Sequence, residues 1–180
     1  MQKLSNRQAI LKNLILSSVC LSLCILLPFV TGQIPQIGSM LCPMHIPVLL
    51  CGFICGPWWA MGIGAIAPVL RYIIFGMPPL MPVGLSMVFE LMVYGCVCGL
   101  LYRLFPKKNG YIYAGLGCSM LAGRIVLGLS CMIIYRFMNS YYTWSLFFAD
   151  SFLNAIPGIV LQIILIPILV TALKKANLIS

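Results

Sequence analysis

The chain has 180 residues, 62% of them hydrophobic and only 7% charged. Soluble domains carry about a quarter charged residues because their surface faces water, so this composition excludes a soluble globule and reads as an integral membrane protein. The net charge of +9, eleven Lys and Arg against Glu90 and Asp150, sits mostly at the ends of apolar runs, where it reports membrane topology rather than nucleic-acid binding.

The N-terminal stretch MQKLSNRQAILKNLILSSVCLSLCILLPFV joins a basic start to a long apolar run. A signal peptide has a shorter apolar region and a small-residue cleavage site, so the stretch predicts a retained first span over about 13–31. The following GQIPQIGSMLCPM, 32–44, holds two prolines and two glycines and reads as a loop. A short second span is expected over about 45–56, with Pro47 tolerated in its first turn. Gly56-Pro57 separates it from a third span over about 57–75. GMPPLMP, 76–82, is a rigid loop. Spans four to six follow over about 83–103, 112–135 and 149–172, and Tyr135, Phe137, Tyr141, Tyr142 and Trp144 crowd the loop before the last. Those aromatics suit either interfacial anchoring or a lid over an outward-facing pocket.

Charge sets the orientation. Lys3, Arg7, Lys12, Arg103, Lys107, Lys108, Lys174 and Lys175 fall on one side of such a bundle and only Arg136 falls in a loop on the other. The positive-inside rule then puts both termini in the cytoplasm. No second domain and no internal repeat is visible, so 1–180 reads as a single all-α domain, a compact six-transmembrane-helix bundle.

Eight of the nine cysteines lie inside apolar runs, where a thiol behaves as a small hydrophobe; Cys42 alone lies in a loop. With one histidine and no paired thiol ligands, the pattern supports no metal site.

Polar residues left within or near the spans carry the functional signal. Each ionised group costs roughly 3 kcal/mol at mid-bilayer, so such groups point inward and pair. At 1.5 Å rise per residue, Arg71 lies about four residues below the external end of span 3, Glu90 about seven below the start of span 4, and Arg124 about eleven below the end of span 5. His45 opens span 2, and Asp150 and Asn154, one turn apart, share a face at the start of span 6. These groups gather in the outer half of the bundle, and Gln162 is the polar exception in the inner half. A cluster open to one side implies a binding site rather than a channel. Either Arg71 or Arg124 satisfies Glu90, and the other is left for an anion, whose carboxylate or phosphate fits the guanidinium fork. Against this stand a structural Glu90–Arg124 pair, a snorkelling Arg71, an anchoring His45 and an N-capping Asp150.

Small residues at four-residue spacing, Ser18/Ser22, Gly52/Gly56, Gly95/Gly99 and Gly115/Ser119/Gly123, let helices approach closely. The first pair lies on a span without embedded charge and is free to face another protein.

Six short spans and the runs LCPMHIPVLLCGFICGP, APVLRYIIFGMPPLMP and FELMVYGCVCGLLYRLF resemble the S components of energy-coupling factor (ECF) vitamin transporters, over roughly residues 10–175. The resemblance implies a membrane-embedded subunit that captures a water-soluble vitamin outside and works with a transmembrane coupling protein and two cytoplasmic ATPases, toppling in the membrane to deliver it. It implies no enzyme activity and no cofactor of its own, in keeping with the lack of a GxxxxGK[ST] loop, and a prokaryotic plasma-membrane location. The family's alanine-rich docking motif on span 1 corresponds to SSVCLS here, with Ser18 and Ser22 at the alanine places. Its ligand residues map to Met40–His45, Glu90, Tyr94, Arg124, Asp150 and Asn154, with Arg71 added on charge and depth. A surplus of arginine favours a pantothenate-like anion; a pyridoxine-type vitamin is the alternative. A membrane enzyme would need clustered catalytic groups, and a self-sufficient transporter would need polar residues along its whole path.

Overall fold

The computed structural model describes residues 6–30, 38, 40–105, 109–139, 141–149 and 153–176. Among them are seven α-helices: α1 (Asn6–Val30), α2 (His45–Ile54), α3 (Pro57–Phe75), α4 (Leu85–Leu104), α5 (Asn109–Phe137), α6 (Trp144–Phe148) and α7 (Ile156–Lys175). A π-helical turn, Leu80–Gly84, leads into α4. No strand occurs among the described residues. Five segments are long and apolar enough to cross a membrane: α1, α3, the π turn with α4, α5 from Gly110, and α7. The helix of the expected second span, α2, has 10 residues and is about 15 Å long, half a hydrocarbon core.

Proline and glycine set the boundaries. Pro57 occupies the first turn of α3, where its missing N–H is no loss. Gly76 ends that helix with φ +69°, its N–H bonded to Tyr72 O at 2.8 Å, a left-handed cap that glycine adopts without strain. Pro157 likewise fixes the start of α7. The helix therefore begins later than the expected 149, and Asn154 lies in an exposed turn before it rather than on its face.

Close glycine contacts set the register. A Cβ on Gly64 would come within 2.5 Å of Leu91 O, one on Gly95 within 2.8 Å of Ala60, and one on Gly99 within 2.5 Å of Pro57 N. α3 and α4 are thus antiparallel with their backbones nearly touching, as small-residue rows permit. α5 lines another side of α4, where Gly123 leaves room for the Tyr94 ring.

α2 runs parallel to α4. His45 meets Glu90, Cys98 Sγ donates to Leu49 O at 3.6 Å, and Arg103 Nη2 donates to Cys55 O at 3.4 Å. His45 is therefore buried at the level of Glu90, not at the mouth of a full-length span. The chain reaches that depth through the short stretch 40–44, with Cys42 at φ +47° and His45 N–H bonded to Cys42 O. Irregular backbone at membrane depth is tolerated when protein surrounds it. Gly158 supplies that cover, since a Cβ there would meet Met40 O and Leu41 O within 2.8 Å.

Below His45, a core of Leu49, Phe53, Tyr94, Cys98, Tyr102, Leu116, Ile166 and Val170 joins α2, α4, α5 and α7. A second core packs α1 onto α2 and α3 through Cys20, Cys24, Val48, Cys51, Ala60 and Ile63. α1 is otherwise peripheral, with Leu14, Ile15, Val19 and Leu26 exposed.

Candidate functional site

Glu90 is the sixth residue of α4, in its second turn, and is 2% exposed. Its Oε1 is 3.2 Å from Arg124 Nη1 of α5 and 3.3 Å from His45 Nε2 of α2. Three helices thus converge on one buried carboxylate oxygen. A buried carboxylate without a cation would be strongly unfavourable, so Arg124 stabilises Glu90 in place. The close α4–α5 approach at Gly123 brings the two side chains into reach.

The pairing leaves hydrogen-bonding capacity unused. The contacts to Glu90 Oε1 are close in distance but not aligned as hydrogen bonds. His45 Nδ1 and Nε2, Glu90 Oε1, Arg124 Nε and the Tyr94 hydroxyl are all buried without a hydrogen-bond partner. Tyr94, one turn below Glu90, meets the His45 ring edge-on at 5.0 Å between centroids. Arg124 Nη2 donates to Cys42 Sγ at 3.6 Å, which ties the 40–44 stretch to α5.

The remaining expected residues fall elsewhere or outside the described residues. Arg71 donates from Nη1 to Ile25 O at 2.9 Å and lies between the Phe29 and Phe75 rings, 5.7 and 5.5 Å from their centroids. It joins α1 to α3 at the turn before Pro28, where an internal proline loosens the helix, and Arg124 is the arginine that meets Glu90. Asn154 is exposed above α7, and Asp150 lies outside the described residues. Ser18 and Ser22 face outward on α1, their hydroxyls donating back to Leu14 O and Ser18 O.

Two more residues join the picture, Cys42 from the expected Met40–His45 segment and Gln162, to which the sequence assigned no role. Cys42 reaches Arg124; its signal in the sequence is that it alone among the cysteines lies outside an apolar run. Gln162 is the lone amide of α7, 1% exposed, with Nε2 and Oε1 both unpartnered. Lys174 Nζ stands 5.3 Å from the Tyr102 ring centroid, and Gln162 and Glu90 lie equally many residues above these two stacked side chains. Gln162 is therefore level with the Glu90 cluster, because α7 begins later in the chain than the sequence indicates, at Ile156.

Among the described residues, no three His, Cys, Asp or Glu side chains form a metal-ligand group. The site is a charge-compensated polar layer buried within the helix bundle, with hydrogen-bonding capacity for a small polar molecule. The family model for the substrate-specific component of ECF transporters matches residues 12–170. No curated protein and no solved structure matches the chain. A match over nearly the whole chain, on a helical membrane bundle with a buried polar layer, means that the protein belongs to the ECF transporter substrate-specific component family.

Proposed function

We propose that the chain captures a water-soluble vitamin on the external face of a prokaryotic plasma membrane and delivers it through a coupling protein driven by two cytoplasmic ATPases. The carrying observation is the convergence of His45, Glu90 and Arg124 from three helices on one buried oxygen. In this reading the chain is one domain with six crossings, the second completed by α2 and the 40–44 stretch. Both termini are cytoplasmic, as the distribution of lysine and arginine supports. The subunit is not an enzyme, needs no cofactor and binds no nucleic acid; ATP is hydrolysed by its partners. His45, Glu90, Tyr94 and Arg124 line the ligand site, Asp150 and Asn154 belong to the loop above it, and Ser18 and Ser22 mark the face of α1 that docks on the coupling protein.

A pantothenate-like anion is the first reading, with Arg124 to receive it; Arg71, bonded to Ile25 O away from the Glu90 cluster, adds no charge to the site. A pyridoxine-type vitamin is the second reading, favoured by one observation: Arg124 is already compensated by Glu90, so an anion must compete with that carboxylate. Mass spectrometry of small molecules released from the detergent-purified protein tests both. A stoichiometric pantothenate-like acid supports the first reading and a neutral or cationic vitamin the second. Failure to release or bind any vitamin overturns the proposal.

A further inference from the structure

Among the described residues, Gln162 is a buried polar side chain that no hydrogen bond, ion pair or ring contact absorbs. Its two amide atoms, a donor and an acceptor, are sealed from solvent and unpartnered, an arrangement that native interiors avoid. Its direction follows from its neighbours on α7. One turn above, Gly158 touches Met40 O and Leu41 O. One turn below, Ile166 packs in the core with Ile46, Leu49 and Tyr94. Residues four apart share a helix face, so Gln162 faces the space between the 40–44 stretch and the Tyr94 layer, level with Glu90.

We infer that Gln162 is a specificity-determining residue of the ligand site, its amide pairing with an uncharged ligand group that presents a donor and an acceptor side by side, as an amide or a hydroxyl beside a ring nitrogen does. The inference rests on the vitamin-capture reading above and adds which part of the ligand is read and by what. A primary amide offers one donor edge and one acceptor edge in a plane, so a matching group makes two hydrogen bonds at once. A group with only acceptors, such as a carboxylate, leaves Oε1 unmet and is disfavoured there. The charged cluster then holds the opposite end of the ligand or closes over it.

The test compares Gln162→Met, close in shape but without the amide, with wild type and Arg124→Ala, in detergent and free of ligand. Removing an unsatisfied buried amide should shift the thermal-unfolding midpoint of the ligand-free protein upward. Titration with pantothenate and with pyridoxine should show affinity for the bound probe falling roughly tenfold or more in Gln162→Met. A downward shift of the midpoint means that the amide is structurally satisfied and overturns the inference. So does unchanged affinity in Gln162→Met when Arg124→Ala abolishes binding, an outcome that leaves the vitamin site standing. Unchanged affinity in both variants overturns the site reading itself. Binding of neither probe by wild type discards these two vitamins, and the midpoint shift still decides whether Gln162 is held in reserve for a ligand.

Discussion

Replacing Arg124 by methionine keeps the stem and removes the charge that faces Glu90. At 3.2 Å, opposite unit charges attract by about 5 kcal/mol at an effective dielectric near 20. Desolvation offsets much of that in the intact pair, but the variant keeps the burial of Glu90 and loses the attraction. Breaking a buried pair costs about 3–5 kcal/mol. The expected loss for Arg124→Met is therefore about 3–5 kcal/mol. Glu90→Gln alone leaves Arg124 buried and uncompensated, at a similar cost. The double variant removes both charges and should be no less stable than either single one, since replacing a whole buried pair is often neutral. The assay is denaturant titration of the purified proteins in a mild detergent at fixed pH. Losses in the double variant that equal the sum of the two singles would refute the pairing as the reason these residues are tolerated in the membrane.

Three further outcomes are expected. Arg71→Met should cost about 2 kcal/mol, the hydrogen bond of a charged group to a carbonyl plus two ring contacts, and leave vitamin affinity unchanged; affinity that collapses would return Arg71 to the binding site. Gly64→Ala should destabilise by about 1–3 kcal/mol because its Cβ meets the Leu91 backbone. Gly62→Ala, in open space, should be neutral or up to about 1 kcal/mol stabilising through helix propensity, so equal melting temperatures for these two variants would count against the α3–α4 register. Finally, Ser18→Leu with Ser22→Leu should preserve vitamin binding and block uptake by cells carrying the full transporter, because α1 exposes this small face; normal uptake would show that another surface docks.

Hydropathy made most helices readable, since runs such as 57–75 and 112–135 must satisfy their backbone internally wherever they meet lipid. Boundaries set by a single proline were legible at Pro57 and missed at Pro157, because the apolar run continues upstream of it. Depth was harder. The residues after His45 announce a helix, yet nothing in their composition says that the chain first descends through 40–44 to start it halfway. The choice of partner for Glu90 was likewise open to two arginines. It is decided by which helices approach closely, and that depends on Gly123 beside Tyr94 and on Ile25 offering its carbonyl to Arg71. Gln162 was visible as an isolated amide, but its level followed only from where α7 begins.

The core beneath the polar layer has an electrical consequence. Leu49, Tyr94, Cys98, Leu116, Ile166 and Val170 have no accessible surface, and they fill the bundle between the Glu90 cluster and the end that carries Arg103 and Lys174. Ions cross a membrane protein only along a hydrated or polar file, and this plug provides none. In a planar bilayer the subunit is therefore expected to pass no current, whether or not its site is filled.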